Sequence, residues 1–177
     1  MNTNTLTRIS TLAAAIGLAL SANVWAAGDT AVQTVGYDVQ EVAQISVTEG
    51  SPGTLTISAA TPGSVPDPDE LLAGTYSITN NAGTDSKKIT AAISTGMPSG
   101  VTLKVLLAAP DGATSEGSGS NGVALSATDA DVVTGIDSVN ETGLAITYQL
   151  SATIDAEAME TADSRVVTFT ITDQGGV

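Results

Sequence analysis

The chain has 177 residues, 42% of them apolar, with 19 acidic against 5 basic side chains and a formal net charge of −14. It contains neither histidine nor cysteine. That removes the Ser-His-Asp triad, the thiolate nucleophile, the imidazole base, the ordinary zinc site and the disulfide framework. A surface this acidic repels nucleic acid phosphates and anionic lipid headgroups, so neither is an expected partner.

Met1 to Arg8 is a short polar segment with one positive charge, and Ile9 to Ala22 is apolar and rich in Ala and Leu. Val24-Trp25-Ala26 then places small residues around a cut before Ala27. This is the layout of a secretory signal peptide over residues 1–26. Its apolar run falls short of the ~18–20 residues that span a bilayer. The expected mature chain, residues 27–177, is exported to the periplasm, the cell surface or the medium, with no part inserted in a membrane. At about 150 residues it is long enough for one domain with a core of its own.

In chain order, residues 27–50 form an N-terminal strand segment. Within it Val35, Tyr37 and Val39 share one parity, which Ala43, Ile45 and Val47 continue after an interruption at Val42. Glu49 to Gly53 is a turn, and Leu55, Ile57 and Ala59 alternate in the next strand. Thr61 to Gly74 holds three prolines and an acidic cluster; it reads as a loop with one helical turn over Asp69 to Ala73. Tyr76 and Ile78, then Ile89, Ala91 and Ile93, then Val101, Leu103, Val105 and Leu107 alternate in three strands. Short turns join them, which predicts an antiparallel meander. Ala113 to Gly122 is a Gly/Ser-rich surface loop. Short strands follow at Val123 to Ala127 and Val132 to Ile136.

The strongest pattern comes last. Leu144, Ile146, Tyr148, Leu150, Ala152 and Ile154 take every second position, and Val167, Phe169 and Ile171 repeat the pattern against Thr168, Thr170 and Thr172. Each run has one apolar and one Thr-rich face, which predicts an antiparallel hairpin against a core. Eight or nine short strands without helical periodicity indicate an all-β chain, a single immunoglobulin-like antiparallel β-sandwich. A closed barrel is the alternative.

Without histidine or cysteine, catalysis is left with carboxylate pairs or Ser–Lys arrangements. Lys87 and Lys88 are adjacent and so point to opposite faces, while Lys104 lies on the polar parity of its strand. All three read as solvated surface charges. No catalytic or cofactor-binding residue is expected, and the chain is not expected to be an enzyme. Two acidic clusters offer oxygen ligands of the kind Ca²⁺ takes: Asp67, Asp69 and Glu70 in the Pro-rich loop, and Asp129 and Asp131 in ATDADVV. Asp129-Ala130-Asp131 lacks the third ligand and the Gly of an EF-hand loop. Turn chemistry and solubility account for the same residues, so calcium is a candidate cofactor and no other is implied.

The stretches YSITNNAGTDSKKITAAISTGMPSGVTLKVLLAAP, LSATDADVVTGI and ITYQLSATIDAEAMETADSRVVTFTITD together resemble a group of exported bacterial β-sandwich proteins akin to cell-surface and fibre-subunit domains, including the WxL type. The chain has no Trp-x-Leu motif and no cysteine pair of the kind found in many chaperone–usher pilins. The resemblance implies a structural or adhesive role at the surface and no catalytic residues.

The function expected from these readings is a non-enzymatic secreted structural protein, a subunit of a fibre, pilus-like filament or matrix. It would associate with itself or with other surface proteins. A monomeric adhesion module, stabilised by calcium, is the alternative. The N-terminal segment can either complete its own sandwich or enter the open edge of a neighbour as a donor strand.

Overall fold

The computed structural model describes residues 30–48, 53–83, 85–117 and 121–175. The expected signal peptide, the turn at 49–52 and the centre of the Gly/Ser loop at 118–120 lie outside the described residues. The chain divides into two units, Met1–Asp38 and Val39–Val177. The described part of the first, residues 30–38, carries neither helix nor strand.

The second unit is an antiparallel β-sandwich, as the alternation predicts. Its strands are β1 (Ala43–Val47), β2 (Asp69–Asn80), β3 (Lys87–Ile93), β4 (Val101–Leu107), β5 (Thr114–Ser115), β6 (Val123–Ala124), β7 (Ala130–Ile136), β8 (Val139–Ala152) and β9 (Val167–Asp173). They form two separate sheets rather than a closed barrel: one of five strands in the order β1-β2-β8-β4-β6, the other of four in the order β5-β7-β3-β9.

The core is the apolar parity of each strand. Tyr76, Ile78, Leu103, Val105, Leu107 and Ile146 come from the five-stranded sheet, and Ile89, Ala91, Ile93, Val132, Val133 and Ile136 from the four-stranded one. Val132 and Val133 are neighbours in sequence, yet both are buried. The reason is a pair of register shifts between β3 and β7, around Ile89 and Thr90, which turn the local backbone so that both side chains reach the interior. A similar irregularity between Leu72 and Gly74 lets β2 follow β8. Gly74 sits there at φ 138°, a conformation that favours a residue without Cβ.

Connections differ from those expected. β8 pairs with β2 and β4, whereas β9 pairs with β3, so the two closing runs belong to opposite sheets and form no hairpin. The chain between them, 153–166, is far longer than a hairpin turn and carries β9 across the sandwich. Likewise β2, β3 and β4 alternate between sheets rather than meandering, because sheets about 10 Å apart can be joined by short loops. The expected helical turn at Asp69 to Ala73 is the start of β2, where Leu71 faces Tyr148 and Leu72 faces Thr147. The long edge of β8 supplies partners there that sequence alone does not display. Leu55 and Ile57 alternate in exposure as predicted but form no strand. That segment is held off the ladder, with the Thr56 N–H donating to the Asp69 carboxylate (2.7 Å) and the Asp67 N–H to the Ala59 carbonyl (2.9 Å).

Polar bonds tie the sheets at one end. The buried Asn80 amide donates to the carbonyls of Ile136 (3.1 Å) and Asp137 (2.9 Å), at the end of β7 and just beyond it. Within the five-stranded sheet, the Tyr76 hydroxyl donates to the Ala108 carbonyl at 2.6 Å. Burial pushes the phenol of Tyr148 up to about 12. It also raises that of Tyr76, with Glu141 adding to the shift. Replacing Asn80 with Ala leaves two inter-sheet carbonyls without their donor, at a cost of about 1–3 kcal/mol. Urea unfolding of Asn80→Ala is expected to show a lower midpoint with unchanged slope; an unchanged midpoint would mean these bonds contribute nothing.

Candidate functional site

The two sides of the sandwich end differently. On one, the sheets close with β5 and β6, two residues each. On the other stand β1, with five residues, and β9, with seven. Among the described residues β1 pairs only with β2 and β9 only with β3, so each presents an outer backbone edge able to take another strand.

Between these edges runs a groove of about 880 Å³. Its apolar lining is Ile45 of β1, Ile78 of β2, and Phe169 and Ile171 of β9; Gln44, Ser46, Ser77 and Thr170 are among its polar residues. Ile78 belongs to the buried core, and Ile45, Phe169 and Ile171 pack against that core while remaining partly open. The single titratable side chain in the lining is Glu141, which accepts the Asp111 N–H at 2.6 Å. A lone carboxylate cannot divide acid and base roles. The chemistry the groove does offer is backbone hydrogen bonding plus apolar contact.

One end of the groove is fastened by a buried cation. Lys87, the first residue of β3, has a side chain only 7% exposed. Its ammonium donates to Asp173, the last residue of β9, and pairs with Glu41 at 2.5 Å. Asp173 lies opposite Lys87 in the ladder, and Glu41 stands two residues before β1. The hydrogen bonds to Asp173 and then Glu41 hold the ammonium well above the usual lysine range, against the opposing effect of burial. Beside it, Asn81 lengthens the β1–β2 ladder. Its side-chain carbonyl accepts the Val42 N–H (2.6 Å), its amide donates to the Gln40 carbonyl (3.1 Å), and its backbone N–H donates to the Val42 carbonyl (3.0 Å).

Lys87 therefore corrects the expectation of a solvated surface charge. Its parity carried the signal: Lys87, Ile89, Ala91 and Ile93 share one face, as do Asp173, Ile171, Phe169 and Val167. Lys88, on the opposite parity, pairs with Asp131 at 3.0 Å, and Lys104 donates to the Asn121 side chain at 3.1 Å.

The calcium candidates fall in two separate places. Asp67 and Glu70 are exposed, and the Asp69 carboxylate accepts the N–H groups of Thr56 and Glu70. Asp129 is exposed before β7, and Asp131 is engaged by Lys88. Among the described residues, no group of three or more acidic side chains is close enough to hold a metal ion. No helix among them is long and apolar enough to cross a membrane.

No family model matches the chain, and no curated protein does. Among solved structures, a chain from a chaperone–usher pilus matches with a TM-score of 0.39 and 16% identity, covering 86% of this chain and 100% of that one. A score that low carries no weight for assembly, and the WxL resemblance gains no family name from it.

Two outcomes test this geometry. A lysine held charged above its ordinary value adds stability that is complete below about pH 10.4 and is lost as pH rises through the raised value. The difference in melting temperature between the wild-type chain and Lys87→Met is therefore expected to shrink above about pH 10.4, and a constant difference would contradict it. Millimolar calcium is expected to leave the melting temperature unchanged, because the Asp69 and Asp131 carboxylates already have partners. A rise abolished by Asp67→Ala or Asp129→Ala would establish a site.

Proposed function

We propose that the chain is a non-enzymatic structural subunit of an extracellular surface assembly, a fibre, pilus-like filament or matrix, built by self-association through the open β1/β9 side. One observation carries the reading. The sandwich leaves its two longest edges exposed beside a groove with an apolar lining, while its other side ends in two-residue strands.

The magnitudes favour a strand as the filler. Each backbone hydrogen bond gained contributes about 0.5–1.5 kcal/mol net. Each Val, Ile or Tyr-sized side chain taken out of water adds roughly 1.5–3 kcal/mol. A strand of six or seven residues can thus offset the entropic cost of association, which runs to several kcal/mol at least. The signal-peptide layout of residues 1–26 supports an assembly outside the cytoplasm. The absence of histidine and cysteine, and a groove whose one titratable group is already bonded, support a role without chemistry.

Net charge sets the conditions. With a formal charge of −14, copies repel one another at low salt, where the screening length is about 30 Å at 0.01 M against 10 Å at 0.1 M. Light scattering and negative-stain microscopy of the mature chain are expected to show oligomers or filaments whose yield rises with salt across that range. A chain that stays monomeric at every salt and protein concentration would overturn the assembly reading and favour the monomeric adhesion module.

A further inference from the structure

We propose that the outer face of the five-stranded sheet is a second contact between copies, a two-fold interface in which two such faces stack with the axis lying along β8. This goes beyond the edge contact proposed above and uses none of its residues.

The face is read from the register. In β2, β8 and β4 one parity turns Tyr76, Ile146, Tyr148, Leu103 and Val105 into the core, so the alternate positions point away from it. Two rows of these outward positions cross the sheet. In one, Gln149 lies between Glu70 of β2 and Lys104 of β4; in the next, Thr147 lies between Leu72 and Leu106. The flanking outward positions are small and uncharged, Thr102 and Ser151 on one side and Thr75 and Ala145 on the other. In a chain of formal net charge −14, this patch carries one charge of each sign and sums to zero. Leu72 stands 67% exposed. Leu106 is half-buried, with Gly117 so close to the end of its side chain that a Cβ there would collide with it. The Lys104 ammonium bonds the Asn121 side chain at 3.1 Å and has donors to spare.

The pattern is complementary to itself. A two-fold axis in the plane of contact and parallel to β8 exchanges the β2 and β4 sides while keeping position along the strands. It sets Glu70 of each copy over Lys104 of the other, and Leu72 over Leu106, each twice. An axis across the strands would lay β2 on β2, with Glu70 over Leu72 or over a second Glu70, so charge and apolarity match only for the axis along β8. Stacked sheets lie about 10 Å apart with their strands within about 30° of each other, a gap that facing side chains fill. Over most of this acidic surface two copies meet like charge against like charge. Here they gain two ion pairs, each modest because it is exposed, and bury Leu72 and Leu106 of both copies. The occupant that fits this face is therefore the same face of a second copy.

Because the chain has no cysteine, one introduced thiol reports the contact. Thr147 lies at the axis, so Thr147→Cys in the secreted chain places two thiols across from each other. At about 0.1 M salt, where charges are screened beyond about 10 Å, a short bismaleimide is expected to give a covalent dimer on a denaturing gel and nothing larger, because a two-fold contact closes on itself. In that background Glu70→Lys and Lys104→Glu are each expected to weaken the dimer about tenfold, since each reversal acts twice. An equimolar mixture of the two variants is expected to restore it, because each reversed charge then faces its opposite. No cross-link, a stronger dimer from Glu70→Lys as its lower net charge alone would give, or a mixture no better than its components would overturn the proposal. The two contacts fail separately. Filaments without the Thr147 cross-link overturn this inference and leave the edge contact standing, whereas the cross-link in a chain that forms no filament counts against the edge contact alone.

Discussion

Backbone hydrogen bonding at strand edges is the constraint from which the rest of this molecule follows. A sandwich of two open sheets has four edges, and each long edge is a template for further pairing unless it is shortened, charged or covered. Here two of them end in β5 and β6, which are two residues long and pair with part of β7 and part of β4. β1 and β9 are five and seven residues long, with no lysine, proline or inward-pointing charge along Ala43–Val47 or Val167–Thr172. The protective devices are spent on one side of the sandwich and withheld from the other. That asymmetry, more than any single residue, sets the β1/β9 side apart from the rest of the sandwich.

The polar residues near that side form one connected arrangement. Asn80 ties β2 to the end of β7, Asn81 extends β1, and Lys87 joins the approach to β1 with the last residue of β9. A lysine this enclosed carries a large desolvation cost unless its charge is matched. The two carboxylates that match it come from the two walls of the groove. The ammonium therefore fixes the separation of edges that, among the described residues, have no strand between them. Burial of the apolar faces alone would leave those edges free to drift, because β1 and β9 belong to different sheets.

Fold class was legible because period-two alternation survives in nearly every strand, and the residues it placed inward, such as Ile89, Ala91, Val105 and Ile146, are those the structure buries. Pairing was not legible. Val167 to Ile171 look alike whether they pair with β8 or with β3, since alternation specifies a face and says nothing of a neighbour. Leu71 and Leu72 read as a helical turn because Pro-rich flanks and an acidic run dominate the window, and the partners that make them a strand, Tyr148 and Thr147, are remote in sequence. The candidate site was half legible. The strand-patterned N-terminus was visible from Val35, Tyr37 and Val39, whereas Lys87 was misjudged by residue type when its parity already pointed inward. The use of Asn81 as a continuation of the ladder depends on Gln40 and Val42, which are remote in sequence.

Charge adds the last step. Nineteen acidic residues against five basic ones make close approach of two copies unfavourable over most orientations, and the penalty falls off over about 10 Å at 0.1 M salt. An apolar groove alone would invite indiscriminate association. Combined with a like-charged surface, it favours contact with what is both apolar and uncharged. Repulsion of this kind weighs most against sideways contacts between acidic sandwich surfaces and least against an uncharged apolar segment.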